Sequence, residues 1–250
     1  MKLNLSKLPL IAALAVAATL PAHSALIHEY VFDGNVDDQV GTANGTLHGD
    51  ATATGGTLAL DGVADWVSFD QNLIPFGSDF TVMLSAQFVY GSVEEFISQG
   101  SSGGPGFYMG PYGSEMRVGD NYGWTATPYY SGNCGGACTG VEAPSDNAWH
   151  SYAVTVSGSD AAFYIDGILR ATKSDYATNG GSALTVLGAQ FGGGQNENLN
   201  GGLRDLQVYN TALSAADITA AAEAPEPGTV ALLGAALVGV GLVSRRKRVD

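Results

Sequence analysis

Apolar and polar residues alternate with a period of two along much of the chain. The cleanest run is Phe80, Val82, Leu84, Ala86, Phe88 and Tyr90, set against Thr81, Met83, Ser85 and Gln87. This is the pattern of a long strand with one buried face. Further on, His150, Tyr152, Val154 and Val156 share one face, and Trp149, Ser151, Ala153 and Thr155 the other. A glycine turn follows, then Phe163 and Ile165 lead into Asp166-Gly167, a dipeptide suited to the positive φ angles of a tight hairpin. Three meandering strands are predicted there. Shorter strands are expected at 26–32, 57–60, 65–69, 94–98, 106–109, 116–118, 183–187 and 203–209, with the two around Asp61-Gly62 read as a pair. One helix is predicted, capped by Ser214 with Asp217 three residues on, and running to about Ala222. Many short strands among glycine turns and almost no helix indicate a sandwich or barrel.

Both ends depart from this pattern. Lys2 and Lys7 precede an apolar run from Leu8 to Leu20 and the small-residue stretch Pro21-Ala-His-Ser-Ala25, which reads as a secretory signal peptide over 1–24; an uncleaved anchor is the alternative. At the other end Pro225-Glu226-Pro227 is followed by an apolar run, read as a transmembrane helix over 228–244, and by Arg245, Arg246, Lys247 and Arg248. Such a run is a marginal span, since about 16 helical residues cover only ~24 Å of a ~30 Å hydrocarbon core. The basic cluster would stay cytoplasmic and leave the rest of the chain across the inner membrane. The three parts in this order resemble the PEP-CTERM sorting signal of Gram-negative bacteria, which implies processing by exosortase and a cell-surface or extracellular destination. An ordinary C-terminal anchor is the alternative.

Removing both ends changes the charge. Residues 25–224 hold four basic residues (Arg117, Arg170, Lys173, Arg204) against 22 of the 24 acidic ones, a net charge of about −18. Nucleic acid is excluded as a partner, because its binding rests on phosphate neutralisation by a basic surface. The remaining stretch, 25–222, is long enough for a single domain to bury its own core.

Several pieces of this domain resemble laminin-G-like domains of the concanavalin A-like lectin/glucanase superfamily: Trp149-His150, Tyr164-Ile-Asp-Gly167, Tyr30-Val-Phe-Asp-Gly-Asn35, Leu60-Asp-Gly-Val-Ala-Asp-Trp-Val67, and Asn200 to Asn210 with Leu213-Ser214. The resemblance implies an all-β, two-sheet antiparallel jelly-roll sandwich. It also implies a structural calcium, with Asp33 and Asp205 in the matching positions, and a second site at the sandwich rim near Asp65. The fold carries enzymes, lectins and structural modules alike, so it does not decide function.

The residues leave these sites open. Asp33-Gly-Asn35-Val-Asp37-Asp38 starts like a calcium loop, but an EF-hand would need glycine at Asp38 and glutamate at Asn44; a turn that caps its own backbone is the alternative. Asp65 reads equally as an exposed surface aspartate. Gly100-Ser-Ser-Gly-Gly104 fits the nucleophile-elbow spacing, yet Gly103-Gly-Pro105 forbids the helix that must follow. No Glu-x-Asp-x-x-Glu strand is present, and the adjacent Glu94 and Glu95 should point to opposite faces, so no catalytic residues are assigned. Tyr122, Trp124, Tyr129 and Tyr130, with Tyr112, are expected in loops, where they would stack on sugar rings or pack over the sandwich mouth. Cys134 and Cys138, the two cysteines of an exported chain, are expected to form a disulfide. Together these readings give an exported, non-catalytic protein associated with extracellular polysaccharide. A polysaccharide-active enzyme and a passive matrix protein are the alternatives.

Overall fold

A computed structural model describes residues 26–100, 106–119, 138–176, 184–192 and 196–223. The strands are β1 (Leu26–Tyr30), β2 (Gly45–His48), β3 (Thr52–Thr54), β4 (Thr57–Asp61), β5 (Trp66–Phe69), β6 (Phe80–Phe88), β7 (Ile97–Gly100) and β8 (Gly106–Tyr112). After these come β9 (Glu115–Gly119), β10 (Cys138–Glu142), β11 (His150–Ser157), β12 (Asp160–Ile165), β13 (Ile168–Lys173), β14 (Thr185–Leu187) and β15 (Asn200–Tyr209), and then helix α1 (Ala215–Glu223). They form two antiparallel sheets. The first runs β13-β12-β11-β6-β15-β4-β3, with β1 also paired to β15; the second runs β10-β9-β8-β7-β14-β5-β2. The jelly-roll sandwich expected from the sequence is the observed fold.

The predicted meander is β11, β12 and β13. Asp166 and Gly167 both take positive φ, 51° and 71°, at its hairpin turn. The long central strand ends at Phe88, so Tyr90 belongs to the turn after it. Two readings are corrected. First, the strands around Asp61-Gly62 do not pair: β4 lies in the first sheet beside β15, and β5 in the second beside β14 and β2. The intervening turn, with Gly62 at φ 83° and Ala64 at φ 57°, carries the chain from one sheet to the other. Second, β6 and β11 are buried on both faces. Their inner side chains, such as Val82, Leu84, Tyr152 and Val154, join the main core. On the outer face Met83, Ala153 and Tyr164 pack beneath Leu213 and Ile218, which lead into and lie on α1.

The helix starts as its sequence suggests. Ser214 Oγ accepts the Asp217 amide at 3.2 Å, and an Asp217 carboxylate oxygen accepts the Ser214 amide at 3.2 Å, a reciprocal capping box.

Candidate functional site

The second sheet turns Val67, Leu187, Ile97, Phe107, Met109 and Val118 toward the core. Alternation therefore sends their strand neighbours to the outer face. Thr46, Ser68, Val186, Ser98 and Tyr108 follow one another across that face in register, ending opposite Gly119. Gly119 lets the Tyr108 ring lie flat on β9, since a Cβ there would sit 1.7 Å from the ring. One step along, Gly110 faces Arg117. A Cβ on Gly110 would meet the Glu94 carbonyl oxygen at 2.1 Å, so only glycine lets the segment before β7 approach β8 this closely.

That approach brings Glu95 to Arg117. The Arg117 guanidinium donates to Glu95 Oε1 at 2.9 Å and, from the same nitrogen, to Glu197 Oε2. It also lies 5.1 Å from the centroids of both the Tyr108 and Tyr112 rings, a distance at which a cation is attracted to a ring face. Arg117 and Glu95 are almost fully buried, whereas Glu197 keeps partial contact with water. Burial pushes the Glu95 carboxyl well above its ordinary range, against the pull of Arg117, and the neighbouring Glu197 adds to the rise. Burial opposes charge on Arg117, but Glu95 and then Glu197 outweigh it and hold the guanidinium ionised. Burial likewise pushes Glu94 up to about 7. Glu95 Oε2, Glu115 Oε2 and Arg117 Nε are buried without a hydrogen-bond partner. The sequence reading missed this cluster, although two adjacent glutamates just before the apolar Phe96-Ile97 were a signal that something held them.

A second polar site lies at the rim where the chain passes between the sheets. Asp65 is 2% exposed rather than a surface aspartate. Its carboxylate accepts the amides of Asp50 at 2.8 Å and Asp61 at 3.1 Å. Oxygens of Asp50, Asp61 and Asp65 all lie within 4.8 Å of one another. Asp50 is consequently harder to ionise, first through its hydrogen bond with Asp65 and then through the charges of Asp65 and Asp61. Exposed oxygens on Asp50 and Asp61 beside a fixed third carboxylate fit an oxygen-seeking cation with 2.3–2.6 Å bonds.

Asp33 and Asp205 take no part in that triad. Asp33 is exposed just beyond β1, and Asp205 occupies an irregularity of β15 at φ 48°. The expected calcium loop closes on itself. Asn35 Oδ1 accepts the Asp37 amide, Asn44 Oδ1 accepts the Asp38 amide, and the Asp38 carboxylate accepts four amides and meets His28 Nδ1 at 2.6 Å. Of the expected sugar-stacking residues, Tyr112 is on a strand rather than in a loop. Tyr122, Trp124, Tyr129, Tyr130 and Cys134 lie outside the described residues, as do Pro225 to Pro227 and Arg245 to Arg248; Cys138 opens β10.

His150 sits between two carboxylates, with Nδ1 2.7 Å from Asp166 and Nε2 3.0 Å from Asp146. On the outer face of the first sheet the Arg204 guanidinium stacks 3.9 Å from the Trp149 ring, above Gly202, and its Nε donates to Thr57 Oγ1.

Two antiparallel sheets packed on one core define a β-sandwich. The chain belongs to the concanavalin A-like lectin/glucanases superfamily, whose family model matches residues 61–219. A PEP-CTERM protein-sorting motif matches residues 223–248, which marks the chain as exported by a Gram-negative-type sorting system. No curated protein matches it. Similar solved structures include domain 4 of AbnA, an extracellular arabinanase from Geobacillus stearothermophilus, in complex with arabinotriose, at 16% identity and TM-score 0.56, covering 79% of this chain and 98% of that one. Trypanosoma rangeli sialidase matches at 16% identity and TM-score 0.54, over 79% of this chain and 32% of its own. The botulinum neurotoxin serotype D binding domain matches at 15% and 0.55, over 80% and 52%. The chain thus spans about a third of the sialidase chain and about half of the toxin chain, and at these identities the likeness concerns the fold.

Proposed function

We propose that this chain is an exported, non-catalytic glycan-binding module of the cell surface or extracellular matrix, released from its C-terminal tail by exosortase. The surface that contacts the saccharide is the outer face of the second sheet. The observation that carries this reading is the pair of rings Tyr108 and Tyr112, held on a strand and flanked by Arg117, Glu95 and Glu197. A sugar offers an apolar C–H face and a polar edge, and rigid rings beside fixed donors and acceptors complement both.

The rival reading, a polysaccharide-active enzyme, draws on Glu95, whose raised pKa is what a general acid needs. A retaining glycosidase, however, keeps the space between carboxyl groups about 5–5.5 Å apart open to the scissile bond. Here a single Arg117 nitrogen bonds both carboxylates, so the guanidinium fills that space. Calcium fits the rim triad of Asp50, Asp61 and Asp65 better than Asp33 and Asp205, and its role there is structural.

A panel of polysaccharides offered to the full chain, run beside a reducing-end assay for cleavage, tests the reading. Binding without cleavage, weakened at least about fivefold (~1 kcal/mol) by Tyr112→Ala, supports it. Cleavage products that disappear in Glu95→Gln would establish the enzyme instead, and no binding to any glycan would leave a passive matrix protein.

A further inference from the structure

Helix α1 ends against the hairpin between β12 and β13. Thr219 Oγ1 donates to the Gly167 carbonyl at 3.0 Å, and a Cβ on Gly167 would lie 3.0 Å from Thr219 Cα and 3.3 Å from Ala222 Cβ. The hairpin turn therefore touches the last turn of the helix, whose final residue, Glu223, is where the sorting motif begins. Directly after Gly167 come Ile168 and Leu169, 56% and 49% exposed. They open β13, the end strand of the first sheet, which among the described strands pairs only with β12. Ile168 stands opposite Ile165 of the main core and Leu169 opposite Tyr164, which packs with α1, so the two side chains flank the hairpin on its two faces. Arg170 follows them. Of the four basic residues between 25 and 224 it is the exposed one, since Arg117 and Lys173 are buried and Arg204 is half-buried. Asp166, the acidic residue of the turn, is drawn back to His150 and to the Ser151 amide.

We infer that Ile168 and Leu169, with Arg170, form a membrane-contact element that rests on the outer leaflet of the inner membrane while the chain is still joined to its tail; the inference rests on the sorting reading above, in which the apolar run is lodged in the bilayer before processing. Ala224 to Pro227 are the only residues between Glu223 and the start of that run at Gly228. Five peptide units reach about 18 Å at most, and the headgroup layer takes up about 6 Å of that. The last turn of α1, and the hairpin touching it, are thus held within reach of the lipid headgroups. An apolar pair beside an arginine suits that surface: the apolar side chains enter the headgroup–acyl boundary, and the guanidinium meets lipid phosphate. Elsewhere the acidic domain offers lipid phosphate little attraction. Two apolar side chains hold a bilayer weakly by themselves, and the tether makes their contact effectively intramolecular. Cutting the tail removes that advantage, so the same element does not retain the processed domain.

Fluorescence quenching by brominated lipid tests this on the full chain, reconstituted in vesicles of phosphatidylethanolamine and phosphatidylglycerol. Three single variants are compared, each read as the signal beyond that of the wild type: Leu169→Trp in the hairpin, Leu47→Trp on β2 at the far end of the second sheet, and Leu237→Trp in the apolar run. Positions 169 and 47 are exposed strand positions, where an aromatic residue is well tolerated. Leu169→Trp is expected to be quenched at least about twice as strongly as Leu47→Trp, because a side chain that enters by ~5–10 Å reaches the acyl boundary and one on the opposite sheet does not. Equal quenching at 169 and 47, or none at 169 while Leu237→Trp is quenched, overturns the contact and leaves the sorting reading standing. Absence of quenching at Leu237→Trp as well overturns the contact together with the membrane-lodged tail.

Discussion

Replacing Asp38 with alanine is expected to cost about 3 kcal/mol of folding free energy at neutral pH. The carboxylate is fully buried and accepts the amides of Glu29 (3.2 Å), Val40 (3.1 Å), Gly41 (2.9 Å) and Ala43 (3.3 Å). Val40 and Gly41 are exposed, so their amides can turn to water. The amides of Glu29 and Ala43 are part-buried, and each left without an acceptor costs about 1–1.5 kcal/mol. Losing the His28 contact adds up to about 1 kcal/mol. In a domain of this size the sum corresponds to a fall in Tm of about 6–12 °C. Asp33→Ala, five residues earlier and exposed, is expected to stay within about 0.5 kcal/mol. Burial alone would raise the Asp38 pKa, but His28 and the amides of Gly41, Glu29 and Val40 together hold it below its ordinary value. A depressed folded-state pKa means that the stabilisation is present above the unfolded value, near ~3.9, and disappears as pH falls through the folded one. Urea denaturation followed by circular dichroism, repeated from pH ~7 down to ~3 and with and without calcium, measures all of this. A loss below about 1 kcal/mol, or one that calcium changes in the wild type and abolishes in Asp33→Ala, would refute the self-closed loop.

Three further outcomes are expected. Gly110→Ala should destabilise by at least about 2 kcal/mol, because the clash is with the Glu94 backbone oxygen rather than a yielding side chain; chemical denaturation reads it directly. Burial disfavours the charged form of His150, yet Asp146 and Asp166 raise its pKa above the ordinary value. Its contribution is therefore full below ~6.5 and lost as pH rises through the higher folded value, so thermal melts should decline as pH rises above ~6.5 in the wild type and less in Asp166→Asn. Calcium at about 100 times its Kd should stabilise the wild type by about 2.7 kcal/mol and Asp50→Asn by much less; identical wild-type melts in calcium and in chelator would remove the ion from the rim.

The strands that alternate cleanly, such as β6 and the β11–β13 meander, were readable in the residues because their inward positions all face one core. Sheet membership was not. Asp61-Gly62 looks the same in a hairpin as in a crossing between sheets, and only the partners of β4 and β5 decide. The double burial of β11 depends on α1, which packs on it from about 60 residues downstream. The charged cluster was unreadable for a similar reason: Arg117 meets Glu95 and Glu197 across sequence separations of 22 and 80, so no local spacing announces it. Asp65 stood out in the residues, but its burial did not, since that follows from the Asp50 and Asp61 amides it receives.

The position of β15 constrains how the domain can assemble. β1, β4 and β6 all hydrogen-bond to it, yet it is the last made of the described strands, ending at Tyr209. A chain crossing the membrane N-terminus first delivers three strands whose common neighbour has not emerged, leaving backbone edges open to wrong partners until translocation is nearly finished. The first sheet can close only when the sorting motif, which begins at residue 223, is itself about to reach the membrane. Completion of the fold and presentation of the tail are thereby nearly simultaneous. A chain cut short anywhere before β15 lacks both, so truncated products cannot reach the sorting machinery with a finished sandwich.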